Sequence, residues 1–185
     1  MKVVQPIRNL EKLAEILSYL KATNERNYIM FMLGIHTGLR ISDILKLRVR
    51  DVKGNYIDIK EEKRDKNNRV LIIFDLKKAL KSFISGKPDH HFLIKSRKGK
   101  NKAIRRETAY QILNDAARHF GVTEIGTHTL RKTFGYHFYQ ETKDIATLQD
   151  ILNHSNPDYT LRYIGINQDK KDTAMKGFRF KLPST

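Results

Sequence analysis

The chain has 185 residues, with 36 Lys or Arg against 20 Asp or Glu, and its formal net charge at pH 7 is +16. This length suits one domain with a real hydrophobic core. The absence of cysteine excludes a disulfide scaffold, a thiolate metal site and a Cys nucleophile. No apolar run approaches the roughly 20 residues that cross a bilayer, and the start of the chain turns polar too soon for a signal peptide. We therefore expect a globular protein of the cytoplasm with no membrane partner.

The basic excess indicates a polyanionic partner, most simply nucleic acid. Lys and Arg are spread along the whole chain, so we expect the charge to belong to a folded surface. A basic but ordinary enzyme is the plain alternative. An anionic membrane surface is less favoured, because no long basic amphipathic helix stands out.

The first quarter of the chain is predicted to be helical. Apolar residues at helical spacing predict helices over 9–22 and 25–36, and the second is apolar on most sides and therefore central. Gly38 is the expected C-terminal stop of the second helix. A third, short helix is predicted from Ser42, with Asp43 in its first turn.

Helical spacing breaks after Asp51, and two β-type runs follow at 56–60 and 69–74. The charged, turn-forming stretch between these runs predicts an exposed hairpin. A helix is predicted over 75–85, a third short strand at 91–94, and a basic loop after it.

The rest of the chain is predicted to be helical again. The predicted helices are 105–120 (ending at Gly121), 128–141, 144–153 and 157–163, with one short helix in the tail after 167. Thr127 is the predicted N-cap of helix 128–141, and Pro157 fits the first helical position after an Asn156 cap. The expected fold class is mainly α with a small antiparallel β-sheet (α+β).

Familiar catalytic motifs are missing from the sequence. It has no Gly-rich phosphate loop, no dinucleotide fingerprint, no H-E-x-x-H and no acidic cluster of two-metal nuclease spacing. If the protein cuts a phosphodiester, we expect it to do so without a metal, and we predict no cofactor.

Three segments have unusual polar content. In HTGLRISD, Arg40 follows a helix stop and lies three residues before Asp43, so a structural ion pair is an alternative to a functional role. In THTLRKTFGYHF, His128 and Arg131 share one helical face near a helix N-terminus, which suits an oxyanion. A capping His beside a surface Arg would explain the same pattern.

The third segment is LQDILNHSNPDYTLRYIGI. His154 follows an amphipathic helix, and Tyr163 lies nine residues later near the end of another. A tyrosine is more often a packing residue than a nucleophile, and Tyr159 is an equally good candidate on composition alone.

Together the three segments resemble the boxes of the tyrosine recombinase (phage integrase) family. HTGLRISDILKLRVRDV is similar to the first box, HTLRKT to the second and LQDILNHSNPDYTLRYIGI to the last. The residues that match the catalytic positions of the family are Arg40, His128, Arg131, His154 and the nucleophile Tyr163. Lys132 stands where the family has His or Lys, and Asn153 stands where it usually has Gly. The family also has a hairpin lysine, for which Lys63 is the best match and Lys60 and Lys66 are near alternatives.

The resemblance spans Pro6 to about Ile166 and implies a single catalytic domain, 1–185. Its core with the active site would cover about 1–166. The tail, about 167–185, resembles the segment that recombinases dock onto a neighbouring subunit. The chain resembles short, single-domain members such as the fimbrial-type invertases, whether it is a complete protein or a trimmed domain.

The resemblance also implies a chemistry. Tyr163 would attack the scissile phosphate and form a 3′-phosphotyrosyl link, without metal or ATP, and His128 would take its proton. Arg40 and Arg131 would stabilise charge on the non-bridging oxygens. His154 would add a hydrogen bond to these oxygens, and Lys63 would protonate the leaving oxygen. We expect the two Arg and two His side chains to line one positively charged concave surface. Tyr163 and Lys63 lie on elements that we expect to be mobile, so without DNA they can lie further from this surface.

The implied partner is double-stranded DNA. The resemblance also implies that the protein is a monomer in solution and associates with itself on DNA as a dimer or tetramer. Arg105, Arg106 and Thr108, at a helix start, are candidates for groove contact, although a solvated helix start explains them equally well. Lys132 is a further candidate DNA contact.

Two other functions remain open at this point. One is a non-catalytic DNA-binding module derived from a recombinase, and the other is a DNA-relaxing enzyme of the type IB topoisomerase sort.

Overall fold

The computed structural model describes residues 4–60, 67–123 and 125–179. This part of the chain is mostly helical. Its helices are α1 (Leu10–Thr23), α2 (Glu25–Thr37), α3 (Ile41–Lys46), α4 (Phe74–Ile84), α5 (Arg106–His119), α6 (Thr129–Thr142), α7 (Ile145–Ile151), α8 (Pro157–Ile164) and α9 (Ile166–Gly177), with one short 3₁₀-helix, Val49–Val52. The strands are β1 (Tyr56–Lys60) and β2 (Asn67–Leu71). The predicted fold class is confirmed.

Helix α2 is the central helix, as its apolar sequence predicts. Residues 29–34 are all buried, and the helix packs against α1, α4 and α6. Asn24 begins it by accepting a hydrogen bond from the backbone N–H of Asn27 (3.2 Å). Gly38 ends it in the left-handed conformation (φ 65°), which a residue without a Cβ adopts at little cost.

The sheet is smaller than the sequence predicts. Strands β1 and β2 pair antiparallel, with Ile57 opposite Val70, but β2 ends at Leu71. Phe74, the predicted end of that strand, instead begins α4, because Leu76, Leu80 and Phe83 bury a helical stripe. A short apolar run does not distinguish a strand from the start of such a helix.

The predicted third strand at 91–94 is also wrong for the described chain. Phe92 makes only an isolated bridge to Arg48, although Leu93 and Ile94 are buried. Leu93 and Ile94 are buried as members of the main core rather than in a sheet.

The predicted N-cap of α6 is wrong, whereas that of α8 is confirmed. The cap position of α6 is His128, and the Thr127 hydroxyl accepts a hydrogen bond from Arg106 instead (3.3 Å). At α8, the Asn156 side chain accepts from the backbone N–H of Tyr159 (2.7 Å), and a proline follows it.

The buried apolar residues form two clusters. The main core draws on α1 to α5 and reaches α6 through Leu130. A second cluster contains Leu148, Leu152, Ile164 and Ile166, with aromatic residues of α6 packed against it. Helix α8 therefore packs mainly on a small cluster of its own. No helix in the described residues has both the length and the apolar character needed to span a membrane.

Candidate active site

Arg131 is the best-anchored side chain of the candidate site. It lies in the first turn of α6 and is only 5% exposed. Its two terminal nitrogens donate hydrogen bonds to the carbonyl oxygens of Gly38 and Leu152. Arg131 thus joins the end of α2 to the end of α7. The interpretation of Arg131 as a surface residue beside a capping His is wrong.

Tyr163 lies within the site, although its helix was expected to be mobile. Its hydroxyl is 3.3 Å from Nδ1 of His128, and the two rings meet edge to face. The positive charge of the Arg131 guanidinium also acts on the hydroxyl. At 3.3 Å the contact with His128 is long for a hydrogen bond from a hydroxyl. The hydroxyl and the imidazole are therefore adjacent but not strongly hydrogen-bonded.

His154 also packs against Tyr163, with ring centroids 4.9 Å apart and the rings edge to face. Its Nδ1 lies 3.1 Å from the Thr160 hydroxyl, and Gln149 donates to its backbone carbonyl (3.2 Å). The preceding residue, Asn153, has a φ of 45°. Glycine adopts this left-handed region most easily, and asparagine tolerates it better than most residues. The departure from the usual family glycine is therefore structurally compatible.

Tyr159 differs from Tyr163 in its surroundings. It is 49% exposed and stacks on the Tyr163 ring at 6.3 Å. It also contacts the His154 ring at 4.8 Å. Tyr163 is half-buried, its hydroxyl lies 3.3 Å from Nδ1 of His128, and the charge of Arg131 acts on it. The geometry thus separates two tyrosines that composition alone does not.

Arg40 completes the cluster from the start of α3, where it is half-buried. Its charge acts on both His128 and His154. The negative charge of Asp43 acts on Arg131. The structure therefore brings Arg40, His128, Arg131 and His154 together around Tyr163, although more than a hundred residues separate Arg40 from His154.

The charges of the site shift its titrations. Burial, reinforced by Arg131 and Arg40, lowers the pKa of His154 to about 4. Partial desolvation and nearby cations, Arg131 first among them, lower the pKa of His128. Burial raises the pKa of Tyr163 to about 12, and the positive charge of Arg131 and Arg40 opposes that rise. At neutral pH both imidazoles are thus neutral, and the net positive charge suits an anion.

Lys132 lies beside the site on α6. Its amine donates to the carbonyl oxygen of Val4 (2.8 Å) and lies 5.1 Å from the centroid of the Tyr163 ring. Burial lowers the pKa of this amine. Its part in DNA binding stays a prediction.

The basic residues at the start of α5 lie in two different surroundings. Arg106 bonds to Thr127, and its charge acts on the neighbouring His128. Arg105 and Thr108 line a separate basic cleft, of about 610 Å³, with Arg26, Arg97, Lys98 and Lys102. The hairpin lysines Lys63 and Lys66 lie outside the described residues, and Lys60 ends β1.

Sequence reasoning missed the segment Val4–Arg8, which we call the strap. Gln5 and Arg8 of the strap lie against Gly165, two residues after Tyr163. The strap has no periodicity and no motif, so no sequence signal reveals this placement. Among the described residues, no group of three or more His, Cys, Asp or Glu side chains could hold a metal ion.

Comparison with known proteins identifies the family. Residues 7–170 match the sequence profile of the phage integrase family. The chain belongs to this family. It is 50% identical over 179 residues to the probable integrase/recombinase YoeC of Bacillus subtilis (strain 168), an alignment that covers 96% of this chain and 98% of YoeC.

Two solved structures share the fold. The crystal structure of XerA recombinase matches with a TM-score of 0.76 and 21% identity, over 95% of this chain and 65% of XerA. A lambda integrase tetramer bound to a Holliday junction matches with a TM-score of 0.70 and 13% identity, over 100% of this chain and 52% of the integrase. The chain therefore spans between half and two thirds of these longer proteins, and at such identities the likeness shows the fold alone.

Proposed function

We propose that this protein is a site-specific DNA recombinase that cuts and rejoins double-stranded DNA through a 3′-phosphotyrosyl link on Tyr163. The observation that supports this most is the placement of the Tyr163 hydroxyl, which lies 3.3 Å from Nδ1 of His128 and on which the positive charge of Arg131 acts. Membership of the phage integrase family supports the reaction class.

In the cleavage step, Oη of Tyr163 attacks the phosphorus and the bond to the 5′-oxygen breaks. The phenol proton passes to Nδ1 of His128, whose lowered pKa leaves it neutral and able to accept. The leaving 5′-oxygen takes a proton from Lys63. One phosphoester bond replaces another, so rejoining is the same step in reverse and needs no ATP.

Arg131 and Arg40 stabilise the negative charge of the transition state. The two hydrogen bonds from Arg131 to backbone carbonyls use only two of its five N–H groups, so the others remain for phosphate oxygens. Since these bonds fix the guanidinium before the reaction, little reorganisation is needed at the moment of attack.

His154 contacts the same oxygens. The Thr160 hydroxyl donates to the Asn156 carbonyl (3.2 Å), so Nδ1 of His154 is the donor to Thr160 and its Nε2 is left for the phosphate. A phosphate oxygen beside Nε2 favours the protonated ring, which then donates to it.

The proposed partner is duplex DNA, bound as a dimer or tetramer, and the proposed location is the cytoplasm. The net charge of +16 favours binding to the phosphate backbone. The fold is shared with a lambda integrase that forms a tetramer on a Holliday junction. The proposed tail, about 167–185, includes all of α9 except its first residue and is the candidate segment for contact between subunits.

The decisive experiment asks whether a covalent protein–DNA adduct survives denaturation after incubation with supercoiled DNA. We expect the unaltered protein and Tyr159→Phe to form the adduct, and Tyr163→Phe to form none while keeping its non-specific DNA affinity. An adduct from Tyr163→Phe that is lost in Tyr159→Phe would overturn the assignment of the nucleophile.

The same assay distinguishes the other two functions. A non-catalytic module would bind DNA and give no adduct on any substrate. A topoisomerase-like enzyme would relax the plasmid as a monomer without exchanging strands between two sites. Strand exchange between two copies of one site is the result that the proposal requires.

A further inference from the structure

The strap is bonded along α6, the helix that carries Arg131. The backbone N–H of Ile7 donates to the Thr133 hydroxyl, and its carbonyl oxygen lies 2.9 Å from Nε2 of His137. These two partners are four residues apart and therefore lie on one face of α6. Ile7 itself is only 3% exposed and belongs to the main core. The strap is thus fixed to the body of the protein.

The other end of the strap reaches α9 through Arg8. The guanidinium of Arg8 pairs with Asp169 at 2.7 Å and lies 5.3 Å from the Tyr136 ring centroid. Nη2 of Arg8 lies 2.7 Å from the position that a Cβ on Gly165 would take. The second carboxylate oxygen of Asp169 is buried without a hydrogen-bond partner among the described residues, so Arg8 is the partner on which this carboxylate depends.

The contact matters because of where Tyr163 lies. It precedes Gly165 by two residues, on an eight-residue helix that packs on the second cluster rather than on the main core. Gly165 is the left-handed joint between α8 and α9 (φ 86°). An ion pair on the far side of this joint therefore links the helix of Tyr163 to the strap, and through the strap to α6.

We infer that Arg8, through its ion pair with Asp169, is a positioning residue that holds the Tyr163 hydroxyl against His128. The inference rests on the proposed role of Tyr163 as the nucleophile. Reaction rates are sensitive to such placement, since a shift of about 1 Å can slow a reaction roughly 100-fold. We expect loss of the ion pair to slow adduct formation on the order of 10-fold.

The test uses two single variants that break the same ion pair with opposite effects on net charge. Arg8→Gln removes a positive charge, whereas Asp169→Asn removes a negative one. Both are expected to slow adduct formation at saturating DNA, and the double variant is expected to be no slower than the slower single variant. DNA affinity should fall slightly in Arg8→Gln and rise slightly in Asp169→Asn, because it follows charge.

The matched control is Lys12→Gln, which removes the same charge and breaks a comparably exposed ion pair, Lys12 with Glu15 (2.9 Å) within α1. It should keep the unaltered rate. A purely structural role would lower the unfolding temperature of Arg8→Gln without slowing the reaction where circular dichroism shows full folding. If a variant does not fold under the assay conditions, Arg8→Lys replaces Arg8→Gln, and Asp169→Glu replaces Asp169→Asn. These replacements keep the charges and displace the charged groups relative to each other.

Unaltered rates of adduct formation in both variants would overturn the inference. A slower rate in Arg8→Gln with an unaltered rate in Asp169→Asn would also overturn it, because that result would show an effect of net charge. Failure of the proposed function is distinguishable from these outcomes. It would appear as an adduct that persists in Tyr163→Phe, whatever the Arg8 variants do.

Discussion

Replacing Arg131 by alanine should destabilise the protein as well as impair its chemistry. The side chain is 5% exposed and donates to two backbone carbonyls, those of Gly38 and Leu152. A hydrogen bond from a charged donor contributes about 1.5–3 kcal/mol, and carbonyls left unpaired in the interior add to the loss. The desolvation of the guanidinium, which the variant avoids, offsets part of this. We expect a net loss of about 3 kcal/mol in the free energy of unfolding.

For a chain of this length, such a loss lowers the unfolding temperature by about 6–12 °C. The measurement is urea and thermal unfolding followed by circular dichroism. Arg106→Ala is the matched control, because Arg106 is exposed and makes one 3.3 Å hydrogen bond to Thr127. It should lose less than about 1 kcal/mol. Equal stability losses in the two variants would refute the structural role of Arg131.

Three further outcomes are expected. The pKa of His154 is lowered to about 4, so the unfolded state binds the proton more readily. The contribution of His154 to the free energy of unfolding should therefore be full above about pH 6.5 and fall toward pH 4. In His154→Gln, the free energy of unfolding should depend less on pH in this window. Lys63→Ala should slow adduct formation more than Lys66→Ala, in single-turnover kinetics. Arg105→Gln should only weaken DNA binding and lower its salt slope by about 1, whereas Arg106→Gln should also raise the pKa of His128, which a pH profile of the cleavage rate would reveal.

The helices were predictable from the sequence because their burial is periodic and their ends carry local signals. Gly38 and Asn156 act where the sequence places them, through a left-handed stop and a side-chain cap. The errors fall where the local signal is ambiguous. Phe74 extends an apolar run that suits a strand, and only the buried stripe that follows shows that it begins a helix. Thr127 is a good cap by type, but a long-range contact with Arg106 engages its hydroxyl.

For the site, the family resemblance predicted which residues would converge, but the residues alone did not. Nothing in the spacing of Arg40 and Arg131 indicates that their charges act on the same imidazole. The resemblance also did not predict which contacts hold the site residues in place. The bonds of Ile7 to α6 span more than a hundred residues and involve the backbone of a segment with no pattern, so only the structure reveals them.

Arg131 and the nucleophile of the proposed mechanism are held by different parts of the fold. Tyr163 depends on the second cluster, whereas Arg131 is fixed at one nitrogen by Gly38, at the end of the central helix. The other nitrogen of Arg131 bonds to the carbonyl of Leu152, a member of the second cluster that lies two residues before His154. One buried guanidinium thus sets the distance between the two parts. A shift of the second cluster would therefore move Tyr163 and His154 together relative to Arg131, and would change both the approach of the nucleophile and the position of the proposed His154 contact with the phosphate.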